Sequence, residues 1–142
     1  MIRNSPVEAV LSATVAKLRS STGVTGLVTS TTGIYNNVEQ GASYPYIEVT
    51  SPVDSRLDTM SRFGSDVLVN IKAVSQARGD KEAAQVLDQC VRSLNFAVLS
   101  TTAPHASIGI TWENSERYAE TINGVTTRYH VGMFRVWAEQ TS

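Results

Sequence analysis

Hydrophobic residues near the start of the chain recur at helical spacing. One stripe collects five apolar side chains and one threonine: Val7, Val10, Leu11, Thr14, Val15 and Leu18. Ser5, Pro6 and Glu8 stand where an N-cap, a first helical residue and a capping-box partner are expected, and Gly23 is free to take a left-handed C-cap. The pattern predicts an amphipathic helix packed on a sheet.

Beyond residue 45, alternation of apolar and polar residues predicts strands. The first run covers residues 46–50. The clearest covers residues 65–76, where one face is apolar: Val67, Val69, Ile71 and Ala73. The other face of this strand is mixed and is expected to meet either solvent or another subunit, because antiparallel sheets commonly leave one side open. Residues 52–64 carry mixed charge and are predicted to form a long connecting loop.

A second helix is predicted after the break at residues 77–80, with Asp80 as a suitable N-cap. Its predicted buried stripe comprises Ala83, Leu87, Cys90, Val91 and Leu94. Asp88 and Arg92 are spaced i,i+4 on the exposed side, where opposite charges attract. The 80–94 segment is therefore expected to cover the same core as the first helix.

Three further strands are predicted, at residues 108–113, 117–122 and 125–139. Asn123-Gly124 joins the last two, and both residues tolerate the positive φ of a type I′ hairpin turn. The apolar alternation of the last strand shifts phase. A bulge near Gly132 explains that shift, and so does a strand covered on both faces.

The predicted element order is α-β-β-α-β-β-β. It indicates an α+β fold, with a mostly antiparallel sheet of four to five strands and two helices packed on one face. Residues 1–142 contain no repeat, low-complexity tract or linker, and the length suits a single domain.

Composition excludes several classes of protein. The net charge is -1, with 12 basic residues against 13 acidic ones. The basic residues are scattered, which argues against tight nucleic-acid binding but not against a protein that DNA slides past. The single cysteine cannot form an internal disulfide. We find no signal peptide and no apolar run of membrane-spanning length, so a cytoplasmic product is expected.

Candidate chemistry is sparse. His105, expected on the surface, and His130, expected in a sheet, have no partners at metal-ligand spacing, so neither a metal nor a cofactor is predicted. Cys90 falls on an apolar helix stripe and is interpreted as a core residue. The carboxylates near residues 48–66 define no pocket, so we predict no catalytic residues and no enzymatic activity.

The stretch at residues 34–50 is the most distinctive in the chain, and it reads IYNNVEQGASYPYIEVT. It resembles the run I-Y-x-x-V-P-Q-G-A-x-x-P-Y-V of the tail terminator, or tail-completion, proteins of long-tailed bacteriophages and related prophage tail genes. Glu39 stands where that run usually has proline. The strand near residues 67–75, the helix at 79–94 and the closing strand at 128–138 match the same family, so the resemblance covers nearly the whole chain.

The resemblance implies a structural virion protein of the tail or neck, assembled in the host cytoplasm. It implies a ring, expected to be a hexamer, that caps the tail tube, ends its polymerisation and offers a joining surface to the head. The implied partners are other copies of the chain, the tail tube protein, a head–tail connector protein, and genomic DNA that passes through the lumen without tight binding. No membrane partner is implied.

Within this interpretation, the charged loop at residues 52–64 is a candidate arm that reaches the lumen or the tube. Its candidate contact residues are Asp54, Arg56, Asp58 and Arg62; the alternative is a solvated surface loop. Two other functions stay open: a neighbouring head–tail connector (a stopper or adaptor), and an unrelated small-molecule-binding domain or enzyme.

Overall fold

The computed structural model describes residues 5–28, 33–36, 44–56, 58, 63–97, 99, 101 and 105–140. In these parts of the chain it contains three helices and five strands. In chain order they are α1 Val7–Arg19, α2 Thr22–Thr25, β1 Ile34–Tyr35, β2 Tyr46–Arg56, β3 Phe63–Ser75, α3 Lys81–Leu94, β4 His105–Ile122 and β5 Val125–Gln140. The α+β class expected from the sequence is confirmed.

The described strands form one sheet in the order β1-β2-β3-β5-β4. β1 pairs with β2 in parallel, and the other three pairs are antiparallel. The long strands β4 and β5 form a hairpin at one side, which leaves β4 as an edge strand in the described sheet.

One face of the sheet carries the hydrophobic core. Every second residue of β3 from Ser65 to Ser75 is buried on this face. The register aligns Val69 with Phe134, the largest fully buried side chain. A Cβ added at Gly132 would lie 2.8 Å from the Leu87 side chain, so α3 lies directly on β5. α1 and α3 contact each other and this face, which we call the helix face; the opposite one is the outer face.

The helices form where the apolar stripes predict them, but their ends differ from expectation. All predicted stripe residues of α1 except the partly buried Val7 are buried. The Ser5 hydroxyl accepts a hydrogen bond from the Val7 amide at 3.4 Å, as predicted for the helix start. The rest of the predicted capping box is wrong, because Pro6 is the N-cap residue and Glu8 instead accepts a hydrogen bond from the Ser12 hydroxyl at 3.2 Å. The predicted cap at Gly23 is also wrong. α1 ends at Arg19, its C-cap residue Ser20 has a right-handed conformation, and Gly23 lies within the one-turn helix α2.

The long loop predicted at residues 52–64 is mostly strand. β2 continues to Arg56 and β3 begins at Phe63, so the connection is residues 57–62. Pro52 concealed this extension, because proline cannot donate a ladder hydrogen bond. The register of β2 against β3 shifts between Thr50 and Val53, and this irregularity is the kind of place where a strand tolerates proline.

The predicted order α-β-β-α-β-β-β is wrong at three places. α2 and β1 are missing from the predicted order, because one helical turn and two strand residues are too short to show a period. The strands predicted at 108–113 and 117–122 are one continuous strand, β4. Its register shifts between Ser107 and Gly109 and again between Trp112 and Asn114, and each shift breaks the alternation on which the prediction depended.

The closing hairpin agrees with its sequence signal. Asn123 has φ 52° and Gly124 has φ 79°, and Ile122 pairs with Val125 across the turn. The register between β3 and β5 is unbroken from residue 128 to residue 140, so no bulge lies at Gly132. Val131 is only 7% exposed on the outer face while Phe134 is buried on the helix face. β5 therefore carries apolar side chains on both faces, which accounts for the phase shift, although no described helix covers the outer face.

Candidate functional site

The outer face of the sheet is a candidate interaction surface, since none of the three described helices packs on it. Four residues follow one another across the strands in a single row: Tyr46, Val74, Tyr129 and Tyr118. The rings of Tyr118 and Tyr129 are stacked at 4.7 Å between centroids, with an interplanar angle of 15°. Tyr118 is 48% exposed. Aromatic rings with a polar tip suit a surface that meets another protein.

A second tyrosine cluster extends this row at the β2 side of the sheet. The rings of Tyr44 and Tyr46 lie 5.3 Å apart, and that of Tyr35 meets Tyr46 edge-on at 5.9 Å. Burial and then the neighbouring Tyr44 raise the pKa of Tyr46 to about 12. Burial and then the Glu120 carboxylate raise the pKa of Tyr129. Both phenols therefore remain neutral at any physiological pH.

The basic side chains of the outer face are paired with carboxylates. Lys72 Nζ lies 3.6 Å from Glu48 Oε1 and 5.6 Å from the centroid of the Tyr129 ring. Arg135 Nε lies 3.4 Å from Asp66 Oδ1 and 3.5 Å from a Glu113 oxygen. The face thus offers aromatic and paired-charge surface instead of the free positive charge that would hold a phosphate backbone.

The predicted contact residues lie at the far end of the β2–β3 hairpin, and the structure brings two of them together. Arg56 Nη2 contacts Asp58 Oδ2 at 2.6 Å, and Arg56 Nε donates to the same oxygen at 2.8 Å. The Gly64 amide donates to Asp58 Oδ1 at 3.1 Å. Asp58 therefore fastens the two strands where they leave the sheet, with the Arg56 side chain 72% exposed beside it.

Asp54 stands apart from this pair. Asp54 lies on the helix face opposite Val67, and its Oδ2 accepts a hydrogen bond from the Ser5 hydroxyl at 3.4 Å. It thus meets the start of α1. Arg62 lies outside the described residues.

Sequence reasoning missed an ionic cluster at the N-terminus of α3. The Asp80 carboxylate lies 3.7 Å from Arg117, 3.4 Å from Arg128 and 3.6 Å from His130 Nε2. Asp80 is the N-cap residue as predicted, yet its side chain makes no capping hydrogen bond. The three partner side chains come from β4 and β5, far away in sequence. The one available signal was that Arg128 and His130 share a strand face.

The remaining candidates agree with the structural roles expected of them, with one exception. Cys90 is fully buried, and burial raises the pKa of its thiol to about 12, so it is a core residue as predicted. His130 is a ladder residue opposite Ala73, as predicted. His105, expected at the surface, is instead a buried first residue of β4.

The described residues contain neither a candidate metal site nor a candidate membrane-spanning helix. No group of three or more His, Cys, Asp or Glu side chains among them is placed to hold a metal ion. No described helix is both long enough and apolar enough to cross a membrane.

Comparison with known proteins identifies the class. Residues 12–138 match the sequence profile of the family described as Tail completion protein gp17. Among curated proteins, no sequence matches the chain. Among solved structures, 23 chains match. One is a chain of the "Virion of native gene transfer agent (GTA) particle", with a TM-score of 0.78 at 18% identity, over 96% of this chain and 99% of that one.

The profile match places the protein in a class, the structural proteins of bacteriophage tails. The chain belongs to the Tail completion protein gp17 family. The resemblance recognised from residues 34–50 is thereby confirmed. The likeness to the virion chain shows that the two share a fold over nearly their whole lengths.

Proposed function

We propose that the protein forms a closed ring, expected to be a hexamer, that caps the completed tail tube and ends its polymerisation. The observation that carries this proposal is the family match over residues 12–138. The ring also offers a joining surface to a head–tail connector, with DNA passing through its lumen. The protein thus acts as a component of the virion tail.

The geometry supports assembly through surfaces. The outer face presents a tyrosine row and paired charges, and β4 is an edge strand of 18 residues in the described sheet. Unpaired strand edges and half-apolar faces are the features that subunits use to associate. A contact between two different patches closes into a ring when its rotation fits the symmetry.

The test of the ring is the mass and shape of the isolated protein. Native mass spectrometry is expected to give a single closed oligomer, and negative-stain microscopy a six-fold ring as wide as the tail tube. In virions, the same protein labelled with gold is expected at the head-proximal end of the tube. A monomer both alone and with tubes would refute the proposal. A ring that binds the connector and leaves tube length uncontrolled would favour the stopper or adaptor role.

Within this function, we assign the β2–β3 hairpin end to contact with the tube or the lumen. The predicted residues Asp54, Arg56, Asp58 and Arg62 belong to this segment. Support comes from the exposed Arg56 guanidinium and from the ion pair that fixes the hairpin at its base. A charge held in place by an ion pair can reach a partner with little loss of conformational entropy on binding.

The hairpin is tested by replacing residues 57–62 with Asn-Gly, which leaves a four-residue connection between the paired residues Arg56 and Ser65, and separately by Arg56→Gln. Both variants are expected to fold and form rings but to leave tubes of uncontrolled length. Lys17→Gln, which removes one exposed positive charge from α1, is the control and is expected to terminate tubes normally. Tails of normal length that join heads with the shortened hairpin would contradict the assignment.

A further inference from the structure

The β4–β5 hairpin ends in a projecting arm with an apolar tip. β3 pairs with β5 only as far as Ser75 with Arg128, whereas β4 and β5 stay paired up to Ile122 with Val125. Residues 120–122 of β4 and 125–127 of β5 therefore form a two-stranded ribbon that extends beyond the body of the sheet. Ile122 is 60% exposed and Val125 49% exposed, and their register places both on the outer face. We call these two residues the arm tip.

A groove lies between α3 and β4 on the other side of the sheet. Its volume is about 280 Å³, and its walls include Ala84, Leu87, Val91 and Trp112, with Asp88 at the rim. Trp112 is 44% exposed. We call this the α3–β4 groove.

The tryptophan wall of the groove is held in place before anything binds. Trp112 Nε1 donates to the Asn114 carbonyl and to Ser115 Oγ, both at 3.0 Å. The Trp112 amide donates to Asn95 Oδ1 at 2.9 Å, which ties β4 to the end of α3. The polar atom of the indole is thus satisfied inside the protein, so its exposed ring surface is available for an apolar partner at little entropic cost.

The arm tip cannot enter the groove of its own chain. Trp112 and Ile122 lie on the same strand, and ten residues of extended chain span about 33 Å. The register also places Ile122 on the outer face and Trp112, opposite Phe134, on the helix face. Two patches on opposite faces of one sheet are different surfaces, so a contact between them is head-to-tail between copies.

We propose that the arm tip of one copy docks in the α3–β4 groove of the next copy in the ring. Charge supports the match. Arg78 lines the cleft beside Val125 at the arm, and Asp88, which lies 3.1 Å from Arg92 on its own helix, lines the groove, so docking gives that carboxylate a second positive partner. Two exposed β-branched side chains fill an apolar groove, and the repeated contact generates a closed assembly. This inference rests on the proposed ring, which it supplies with a contact surface.

The first test uses two variants that block opposite sides of the contact. Ile122→Asp places a charge at the arm tip, and Ala84→Arg fills the groove from an exposed helix position. Each is expected to weaken self-association at least about thirtyfold, as loss of a binding hot spot does, and to leave monomers. Phe96→Asp, at an aromatic residue that is 79% exposed outside both patches, is the control that keeps the wild-type oligomer. Thermal unfolding of each variant confirms that it is folded.

Mixing the two blocked variants gives the decisive result. The Ala84→Arg variant keeps an intact arm tip, and the Ile122→Asp variant keeps an intact groove. The mixture can therefore form one contact for each pair of the two variants. Native mass spectrometry is therefore expected to show heterodimers and no larger ring. If either variant alone still forms the wild-type oligomer, or the mixture stays monomeric, the docking is wrong.

Crosslinking separates this inference from the ring itself. Protein carrying Val125→Cys is mixed with protein carrying Ala84→Cys under mild oxidation; Phe96→Cys replaces Val125→Cys as the control, and Cys90 is buried. A tip-to-groove disulfide is expected in the first mixture only. Rings without that disulfide overturn the docking and keep the ring. A disulfide without closed rings would support the docking and overturn the ring. The absence of both the disulfide and the rings would overturn both proposals.

Discussion

At the scale of single residues, position in the sheet decides what a side chain does. Phe134 and Phe96 are chemically identical, yet Phe134 is 0% exposed under α3 and Phe96 is 79% exposed after the end of that helix. Tyr46 and Tyr35 are both tyrosines of the stretch that identified the family, and their edge-on contact makes them packing partners. Residue type alone indicates neither outcome.

Replacing Phe134 by alanine is expected to lower the free energy of unfolding by about 3–5 kcal/mol, because it empties a fully buried site. Phe96→Ala is the matched control, expected to change it by less than about 0.5 kcal/mol. Urea denaturation of both variants measures the difference. Equal losses in the two would contradict the assignment of the core.

The raised pKa of Tyr46 predicts that the protein loses stability at alkaline pH. Its pKa is raised to about 12, so the folded state holds the phenolic proton more tightly than the unfolded chain does, where the pKa is about 10. The contribution is fully present below pH 10 and is lost as the pH rises toward 12. The free energy of unfolding of each protein is measured by denaturation at pH 9 and at pH 11. It is expected to fall less between the two in Tyr46→Phe than in the wild type. Identical losses would show that Tyr46 does not titrate in this way.

At the scale of elements, the neighbouring strands of the sheet decide where a strand ends and where a helix begins to pack. β2 passes Pro52 because β3 continues beside it, and β4 continues through two register shifts because β5 pairs with it throughout. The start of α3 is fixed in the same way. Asp80 meets side chains from both strands of the closing hairpin. These contacts join segments that are distant in sequence.

Asp80→Asn is expected to lower the free energy of unfolding by about 1 kcal/mol or less, since Asp80 is 44% exposed and solvent screens its ion pairs. The loss should shrink as salt is raised. Asp88→Asn, which breaks the exposed 3.1 Å pair with Arg92 within α3, is the control. Amide exchange should speed up at residues 115–130 in the Asp80 variant alone. Unchanged exchange there would mean that Asp80 does not anchor the hairpin.

At the scale of the whole molecule, the net charge and the described outer face suit protein contacts better than tight nucleic-acid binding. The net charge is -1, and the basic residues of the outer face are paired with carboxylates. These features agree with the proposed passage of DNA through the lumen without tight binding. A head-to-tail docking of arm tip and groove would give such a molecule the polarity that a ring requires.

The charge distribution predicts weak DNA binding. A 30-base-pair duplex is expected to show no retention by the protein at 150 mM salt, because tight binding needs several unpaired Lys or Arg contacts to phosphates. Fluorescence anisotropy across a salt series measures it. A variant with Glu48→Gln, Asp66→Asn and Glu113→Gln, which frees Lys72 and Arg135, is expected to bind more tightly at low salt. Micromolar binding by the wild type at 150 mM salt would contradict the proposed free passage.

The sequence by itself determined the features that depend on neighbouring residues. The stripes of α1 and α3, the β3 alternation and the Asn123-Gly124 turn all follow from local geometry, so they were predictable. The spacing at residues 34–50 was enough to indicate the family. Only the tertiary structure decided the length of β2, the continuity of β4, the Asp80 cluster, and the placement of arm tip and groove on opposite faces. Each of these depends on register between strands, and register is set by the whole sheet.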